Sequence, residues 1–254
     1  MTEKFLSGKT ALVTGAGRNI GRGIALAFAQ RGANVVVNAR TNGDEAESVA
    51  GEARALGVDV LSYLAEVGDP QAVEGMARAA LDRFGAVDIL VNNAAARPRQ
   101  SFLEITVEDW DRVIRSNLSA LFYLTRALVE PMMARGWGRI INISGTDGLR
   151  GRENRAHNVA CKSGMIGLTK AMALEFGHSG ITANVVVPGI TDTSRPLEHY
   201  PGWPPTQESL DAQLPVARMG TSEELGEVCA FLTSEAASYI TGQTLPVNGG
   251  WHMP

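Results

Sequence analysis

Residues 10–21 read TALVTGAGRNIG, an apolar run that passes through a glycine-rich turn into the start of a helix. Backbone N–H groups at a helix N-terminus attract anions, and glycines allow a pyrophosphate to approach the backbone closely. The fingerprint G-x-G-x-x-G is incomplete, because Ile20 stands at its third glycine. A tight strand-to-helix turn without a ligand is the alternative interpretation. The turn predicts a phosphate site formed by Gly15, Gly17, Arg18, Asn19, Ile20 and Gly21.

Strand-like and helix-like segments alternate along the remaining chain. Short apolar runs predict strands at residues 10–14, 34–38, 58–64, 87–92, 139–144, 181–187 and 244–247. Helix-like patterns lie between them, at 20–28, 44–55, from 69 onward, 107–135, 156–176 and 221–233. Alternating βα units with apolar strands predict an α/β fold in which helices cover both faces of a parallel sheet. No composition break divides the chain, which predicts one domain over residues 1–254.

Composition and charge exclude several classes of protein. The 254 residues are 44% hydrophobic with a formal charge of −4, which argues against disorder and against general binding of nucleic acid or anionic lipid. No apolar run approaches the roughly 18 residues of a membrane span, and the N-terminus lacks a signal-peptide pattern. Cys161 and Cys229 form no disulfide framework, and we interpret Cys161 as a packed small residue. We expect a cytoplasmic protein without a membrane or nucleic-acid partner.

The segment 191–214 interrupts the regular alternation. It is rich in proline and aromatic residues, with Pro196, Tyr200, Pro201, Trp203, Pro204 and Pro205 inside it and Pro215 just beyond. A long connection after the carboxyl end of a strand is typical of a lid over a ligand. The pattern therefore predicts a substrate lid at 191–214, with a mobile surface insertion as the alternative.

Further motifs agree with one known pattern in order and spacing. The first turn matches T-G-x-x-x-G-x-G at Thr14, Gly15 and Gly21. Asn19 stands at the middle glycine, where Asn tolerates positive φ better than most residues. Other matching positions are Asp88, Asn92-Asn93-Ala94-Ala95, Asn117, Asn184, Pro188-Gly189, Thr193, Thr241-Gly242 and Asn248-Gly249-Gly250. Over nearly its whole length, the chain therefore resembles the short-chain dehydrogenase/reductase family.

The resemblance implies a doubly wound, Rossmann-like, mostly parallel sheet in a single domain. It also implies a nicotinamide cofactor and a homotetramer or homodimer, in which the helices at 107–135 and 156–176 pair across subunits. Asn93 and Ala94 would line the adenine-ribose and nicotinamide path, and Glu66 and Val67 would flank the adenine. The cofactor residues implied after the sixth strand are Pro188, Gly189, Ile190 and Thr193, of which the last two would hold the carboxamide.

The end of the second strand bears on the choice of cofactor. NAD sites place an acid there, about 20 residues past the glycines, to bind the ribose 2′-hydroxyl. Ala39 occupies that position and Arg40 follows it, while Arg18 lies in the phosphate turn. Two guanidiniums favour a 2′-phosphate, so NADP(H) is the predicted cofactor and NAD(H) the second choice. A solvated surface role for Arg40 is the alternative.

Two catalytic positions depart from the family. The resemblance implies a proton-donating Tyr, a Lys four residues later that holds the ribose, a Ser 13 residues before the Tyr, and a supporting helix Asn. Lys162 and Asn117 match, but Asn158 stands at the Tyr position and Gly145 at the Ser position. An Asn amide is not a usable acid near neutral pH, and a positioned acid contributes about 10²–10⁴-fold in rate. The family's standard mechanism therefore does not carry over to this chain.

Other groups near these positions are candidate replacements. His157 titrates near neutrality and lies about 100° around the helix from Asn158; a buried structural role is the alternative. Ser144 is expected on the strand face opposite Gly145, whereas Asp147 shares Gly145's face if the strand continues. The lid contributes two more candidates, His199 and Tyr200.

Loops at the expected carboxyl ends of strands hold many arginines, namely Arg97, Arg99, Arg150, Arg152, Arg155 and Arg195. Against a net-acidic background, such a cluster is suited to a small-molecule substrate that carries a carboxylate or phosphate. Solvated loop charge or salt bridges between subunits is an equally open interpretation.

Together these patterns predict an NADP(H)-dependent oxidoreductase that acts on a small carbonyl or alcohol with a non-standard proton donor. The same cofactor site would also serve a non-redox dehydratase or isomerase, or a catalytically inactive cofactor-binding protein. The fold alone does not distinguish these functions, which therefore have to be distinguished by the residues of the site.

Overall fold

One parallel sheet organises the chain in the computed structural model, which describes residues 3–195, 200 and 202–253. Its strands are β1 (Thr10–Val13), β2 (Asn34–Ala39), β3 (Val60–Leu64), β4 (Ile89–Asn92), β5 (Gly138–Ile143), β6 (Ile181–Pro188) and β7 (Thr244–Val247). They lie in the order β3-β2-β1-β4-β5-β6-β7, and every neighbouring pair is parallel. The predicted α/β fold with a doubly wound, Rossmann-like sheet is confirmed.

Helices connect the strands and cover both faces of the sheet. They are α1 (Asn19–Gln30), α2 (Gly43–Ala55), α3 (Pro70–Phe84), α4 (Val107–Ile114), α5 (Ala120–Ala134), α6 (Asp147–Arg150), α7 (Ala156–Phe176), α8 (Gln207–Gln213) and α9 (Ser222–Thr233). Successive side chains of a strand point to opposite faces, so two apolar cores result. Val13 packs in one core with Ile24 of α1, and Leu12 packs in the other with Met76 of α3.

Two helix starts are capped as the sequence predicts. The Asp69 side chain accepts a hydrogen bond from the Gln71 N–H at 2.9 Å, and Pro70 is the first residue of α3. Thr221 and Glu224 form a reciprocal capping box at the start of α9. These bonds satisfy N–H groups that the first helical turn would otherwise leave without a partner.

A π-helical turn divides the predicted helical stretch 107–135. α4 gives way to the π turn at Arg115–Ser119, and α5 follows it directly. The turn contains Asn117, whose Nδ2 donates to the Ala96 carbonyl and whose Oδ1 accepts from the Ala96 N–H, both at 2.7 Å. Single π turns are frequent at functional sites. Apolar periodicity does not register a one-residue insertion, which is why the sequence predicted an unbroken helix.

The winding of the sheet reverses between β1 and β4. The chain leaves β1 towards β2 on one side, while β4 lies on the other, so the loops after β1 and β4 diverge. Thr14 joins these two loops, because its hydroxyl donates to the Val91 carbonyl at 3.2 Å and accepts from the Asn93 N–H at 2.9 Å. Open α/β sheets bind ligands in the crevice at such a reversal.

Candidate active site

A cavity of about 770 Å³ opens at the carboxyl ends of the strands, over the crevice between β1 and β4. Its walls include the loops after each of the strands β1 to β6 and the start of α7. All the residues predicted to bind the cofactor line this cavity: Gly15, Gly17, Arg18, Asn19, Ile20, Gly21, Arg40, Glu66, Val67, Asn93, Ala94, Lys162, Pro188, Gly189, Ile190 and Thr193. The fold thus brings together positions that are far apart in the sequence.

Two glycines keep the turn after β1 bare. Gly15 has φ +61°, in the left-handed region that favours glycine. A Cβ on Gly21 would lie 2.2 Å from the Gly15 carbonyl oxygen, so no side chain fits there. Asn93 braces the turn, because its Nδ2 donates to the carbonyl of Thr14 at 2.9 Å and to that of Gly15 at 3.1 Å. The backbone of the turn is therefore open to close approach by a phosphate.

The N-terminus of α1 is suited to an anion. Within the described part of the chain, Arg18 gives it no side-chain cap and its first turn has no acid. Asn19 adopts φ +51°, the left-handed conformation of the glycine it replaces in the motif. Its side chain is engaged elsewhere, since Oδ1 accepts from the Ser194 N–H at 3.0 Å. First-turn N–H groups and the helix dipole thus remain for a pyrophosphate.

The end of β2 carries no acid. Ala39 is buried at the position where NAD sites place a carboxylate, and the neighbouring Arg40 side chain is 68% exposed. Arg40 Nη1 lies 3.8 Å from a Glu66 oxygen, and Arg18 Nη1 lies 3.9 Å from a Glu45 oxygen. Both ion pairs are long and open to solvent, so they hold the guanidiniums only weakly. Both arginines line the cavity within reach of a ligand at this end.

Asn117 shapes the cavity wall from behind. It is buried and does not line the cavity; instead, its two hydrogen bonds to Ala96 hold the segment that follows β4. Ala96 and the next residue, Arg97, do line the cavity. The geometry assigns Asn117 a positioning contact, and the water link to Lys162 implied by the resemblance stays a prediction.

Lys162 of α7 is buried in the cavity wall. Its Nζ donates to the Ile143 carbonyl oxygen at 2.7 Å, which leaves two of the three ammonium protons for a ligand. Burial, followed by the positive charge of Arg97, lowers the pKa of the Lys162 ammonium to about 7. Lys162 therefore exchanges its proton near neutral pH, as an exposed lysine does not.

Asn158 and Gly145 line the same cavity. Asn158 is only 2% exposed, and its Nδ2 has no hydrogen-bond partner among the described residues. A buried donor without an acceptor costs roughly 1–3 kcal/mol, so this amide marks a position for a ligand acceptor. A Cβ on Gly145 would meet no heavy atom within 4 Å, which leaves open space where the resemblance implies a serine.

His157, the predicted replacement acid, does not line the cavity. Its Nδ1 accepts from the Asn158 N–H at 2.9 Å, so Nε2 carries the proton and donates to Gln100 Oε1 at 3.2 Å. Burial is the main cause that lowers the pKa of the His157 imidazole. These contacts agree with the buried structural role that the sequence left open. His199, the other histidine candidate, lies outside the described residues.

The strand geometry expected for Asp147 is wrong. β5 ends before Ser144, and Asp147 begins α6 instead of continuing the strand. Its carboxylate nevertheless lines the cavity, with Oδ1 3.5 Å from Arg152 Nη1. The Ser144 hydroxyl donates to the Lys162 carbonyl at 3.1 Å and is thereby directed to α7. Ser144 therefore does not replace the serine missing at Gly145.

Arginines from several loops converge on the cavity near Lys162. Five of the six predicted from the sequence line it, namely Arg97, Arg99, Arg152, Arg155 and Arg195. Arg150 does not; its guanidinium stacks on Trp251, 4.1 Å from the ring centre. The expected concentration of positive charge thus exists in the fold.

Two aromatic residues of the segment 191–214 hold these arginines. The Arg195 guanidinium lies 3.7 Å from the Trp203 ring centre and 4.9 Å from that of Tyr200. Arg155 lies 4.9 Å from the Tyr200 ring, and such cation–π contacts orient a guanidinium. Burial alone would raise the pKa of Tyr200, but Arg97 and Arg155 outweigh it and the pKa is lowered. Closure of this segment as a lid stays a prediction.

Trp251 and Arg112 are among the residues of the cavity wall that sequence reasoning missed. Trp251 directly follows Gly249 and Gly250, whose φ values of +63° and +82° turn the chain back towards the cavity. That glycine pair was a usable signal for Trp251. Arg112 is one charge among several on α4, so no local pattern sets it apart.

Among the described residues, neither the cysteines nor the acidic groups form a further reactive or metal-binding cluster. Both cysteines are buried, and burial raises the pKa of the Cys161 thiol to about 11 and that of Cys229 further, which disfavours thiolates. In residues 3–195, 200 and 202–253, no group of three or more His, Cys, Asp or Glu side chains is arranged to hold a metal ion. None of the helices described is both long and apolar enough to cross a bilayer.

Comparisons with known proteins find relatives that match nearly the whole chain. Residues 15–252 match the family model described as "Enoyl-(Acyl carrier protein) reductase". The chain is 40% identical over 247 residues to the 3-oxoacyl-[acyl-carrier-protein] reductase FabG of Staphylococcus aureus (strain Mu50 / ATCC 700699), covering 96% of this chain and 98% of the relative. It is 41% identical over 249 residues to FabG of Escherichia coli (strain K12), covering 97% and 98%. A crystal structure from Sinorhizobium meliloti 1021, described as a "putative short-chain alcohol dehydrogenase", superposes with a TM-score of 0.91 at 32% identity, covering 98% of each chain.

Proposed function

Because the chain belongs to the short-chain dehydrogenase/reductase family of oxidoreductases, we propose that it interconverts a small carbonyl compound and its alcohol with NADP(H). The proton donor in this proposal is not the family's tyrosine. One observation carries it: the bare glycine turn after β1 opens into the same cavity as Lys162 and Asn158. That arrangement would bring a dinucleotide and a small substrate side by side.

The cavity wall supports a nicotinamide dinucleotide along its length. The first N–H groups of α1 would hold the pyrophosphate, Glu66 and Val67 would flank the adenine, and Ile190 and Thr193 would hold the carboxamide. When bound, the cofactor supplies or accepts the hydride. The turn between Gly15 and Gly21 supports this fit, because its backbone lines the cavity and is packed too closely for a side chain at Gly21.

NADP(H) is proposed over NAD(H) on the charges at the end of β2. A 2′-phosphate there would meet Arg40 and Arg18 and no carboxylate at Ala39. Charge-assisted bonds from guanidinium to phosphate are among the strong hydrogen bonds of proteins. The 2′-phosphate would replace Glu66 and Glu45 in their long ion pairs with the two arginines.

We assign the transferred proton to Lys162 Nζ. The Asn158 amide would donate a hydrogen bond to the substrate oxygen, but it does not release a proton near neutral pH. The Lys162 ammonium has a pKa of about 7 and two protons that the Ile143 carbonyl does not take. It would deliver one of them to the substrate oxygen, directly or across one water molecule. His157 takes no part in this assignment, because its ring nitrogens are bonded to Gln100 and to the α7 backbone.

Two further aspects are proposed with the activity. Phe122 of α5 and Leu174 of α7 are exposed apolar residues, which supports pairing of these helices in a homodimer or homotetramer. Light scattering on the purified protein tests this assembly. Two free cysteines are in keeping with a reducing, cytoplasmic location.

The departures at Asn158 and Gly145 favour one alternative function. A dehydratase or isomerase on this scaffold would need no net hydride transfer and hence no dedicated phenol. It would convert its substrate without changing NADPH absorbance, which separates it from the oxidoreductase. A chain that binds NADPH but converts nothing would be the inactive cofactor-binding protein.

The test follows NADPH absorbance with a panel of aldehydes, ketones and keto acids. The parent is compared with Lys162→Ala and with Lys170→Ala, an exposed lysine two turns along the same helix. We expect turnover by the parent, a loss of at least about 10²-fold in Lys162→Ala and little change in Lys170→Ala. No NADPH or NADH oxidation with any compound overturns the proposed activity. Full activity of Lys162→Ala overturns the proton assignment.

A further inference from the structure

The substrate side of the cavity is strongly positive although the chain is net acidic. Among the described residues, this side is lined by seven basic side chains and one acidic side chain, Asp147. The basic ones are Arg97, Arg99, Arg112, Arg152, Arg155, Lys162 and Arg195. The whole chain carries a formal charge of −4, so this concentration does not follow from composition. A cavity wall of one sign attracts ligands of the other.

Arg155 is buried and Arg195 is half-buried, and among the described residues neither is paired with a carboxylate. Arg155 is 4% exposed and stacks on Tyr200, while Arg195 is held by Trp203 and by a 3.0 Å bond from its Nε to Thr193 Oγ1. Aromatic faces and a hydroxyl orient a guanidinium, but in the part of the chain that the structure describes no carboxylate balances its charge. Buried charges are ordinarily paired. An anion entering the cavity would supply the missing partner.

The cofactor's own phosphates do not account for these arginines. Among the described residues, the charged groups that act on Arg195 are Arg97, Tyr200, Arg155 and Arg152, all from the substrate side. The pyrophosphate would lie on α1, and a 2′-phosphate would lie at the end of β2, where Arg18 and Arg40 provide the charge. The arginines near Lys162 are therefore left for another anion.

Asn158 supplies the second, independent observation. Its Nδ2 is buried, lines the cavity and lacks a hydrogen-bond partner among the described residues. An amide nitrogen is a donor, so its missing partner is an acceptor such as a carbonyl or hydroxyl oxygen. An acceptor oxygen at Asn158 and an anion at the arginines would belong to one ligand, because both line one cavity.

We propose that the substrate carries an anionic group, a carboxylate or a phosphate monoester, in the same small molecule as the reacting carbonyl or alcohol. Arg97, Arg155 and Arg195 bind the anionic group, and Asn158 Nδ2 donates to the reacting oxygen. This inference rests on the proposed oxidoreductase function and names its substrate class. A small anion fits better than an acidic protein surface, because a side chain as buried as Arg155 is beyond the reach of a flat partner.

Titration calorimetry on the NADPH-loaded protein tests the anionic group. The probes are unbranched oxo acids of three to eight carbons with their methyl esters, and dihydroxyacetone phosphate with dihydroxyacetone. We expect at least one anion to bind tenfold or more tightly than its neutral partner. Arg155→Gln should remove most of that preference. Arg97→Gln, a milder change because Arg97 is exposed, should do the same. Arg78→Gln, at an exposed arginine of α3 outside the cavity, should keep it.

A second comparison tests Asn158. The oxo acid that binds best is compared with the alkanoic acid of equal length, which keeps the carboxylate but lacks the oxo group. We expect Asn158→Leu to abolish the preference for the oxo acid while the alkanoic acid binds as before. If the oxo acid keeps its advantage in Asn158→Leu, the assignment of Asn158 is overturned.

The outcomes separate this inference from the proposed function. Preference for the acids identifies a carboxylate, and preference for dihydroxyacetone phosphate identifies a phosphate; both support the inference. Neutral partners that bind within threefold of every anion overturn it, as does a preference that survives in both arginine variants. Anion binding without NADPH oxidation would remove the oxidoreductase function and leave the anion site standing. Oxidation of NADPH with neutral ketones alone would remove the anion site and leave the oxidoreductase function standing.

Discussion

Replacing Gly21 by alanine is the most direct perturbation of the glycine turn after β1, where the cofactor is proposed to bind. The new Cβ would lie 2.2 Å from the Gly15 carbonyl oxygen, and those two atoms must separate by about 0.8 Å to reach 3.0 Å. Asn93 Nδ2 would also be only 2.6 Å away, so the turn is blocked on a second side. Overpacking of this kind typically costs about 1–3 kcal/mol. We expect the melting temperature to fall by about 2–4 °C per kcal/mol.

The effect of Gly21→Ala on NADPH binding follows from the same displacement. An N–H that is moved about 0.8 Å from a phosphate oxygen lengthens a roughly 2.9 Å contact beyond hydrogen-bond range. One charge-assisted bond contributes about 1.5–3 kcal/mol, so its loss weakens NADPH binding by at least about tenfold. Fluorescence titration with NADPH measures the dissociation constant, and a thermal melt measures stability separately.

Gly17→Ala is the matched control in the same turn. Its Cβ would lie 3.3 Å from Ala46 N and Glu45 Cβ, which a shift of a few tenths of an ångström relieves. We expect NADPH binding by Gly17→Ala within about threefold of the parent. If Gly21→Ala binds NADPH as tightly as Gly17→Ala, the dinucleotide does not lie on this turn and the reasoning fails.

Three further results are expected. The double variant Asn158→Tyr/Gly145→Ser should raise the rate of carbonyl reduction by roughly 10–10³-fold, because the space at Gly145 accepts a hydroxyl. Gly145→Ala is the comparison, and a double variant that is no faster than Gly145→Ala would contradict this expectation. The kcat/KM of reduction should fall as pH rises through about 7, where Lys162 loses its proton, and Arg97→Gln should move this limb to higher pH by removing a like charge; a flat profile from pH 6 to 9 would refute the assignment. Arg40→Ala should weaken NADPH about fivefold and leave NADH unchanged, as the exposure of Arg40 limits the effect; equal losses for both cofactors would remove the 2′-phosphate contact.

Local patterns were sufficient to predict the sheet and the residues that line the cavity at the proposed cofactor site. Buried strands such as 34–38 are apolar on both faces. A cap residue such as Asp69 bonds a backbone N–H two or three residues further along the chain, so both patterns are visible in a short stretch of sequence. The wall residues were found through motif spacing, since the glycine turn and Asn93 lie at the ends of strands whose order the fold class sets. The structure places them in one cavity, as the motifs required.

Features that depend on distant contacts were not accessible in the same way. The π turn contains Asn117, whose hydrogen-bond partner Ala96 lies 21 residues away. The pKa of Lys162 depends on burial and on Arg97 from another loop, and neither is visible at Lys162 itself. The contacts that favour a structural role for His157 include Gln100, which lies 57 residues from it. Reactivity at this site is therefore a property of the packed loops rather than of the motif.

The departures from the family at Asn158 and Gly145 are linked electrostatically to the arginines that line the cavity near Lys162. In the proposed reaction there is no phenol at position 158, so the proton would come from a group that titrates near neutrality; burial and then the charge of Arg97 bring the pKa of Lys162 into that range. An anionic substrate group bound at Arg97 would offset this like charge and raise the pKa of Lys162 in the complex. Lys162 would then be more fully protonated with substrate bound than without it, so the pH limb of kcat should lie above that of kcat/KM. A neutral ketone turned over by the same cavity would leave the two limbs together, because nothing would offset the charge of Arg97.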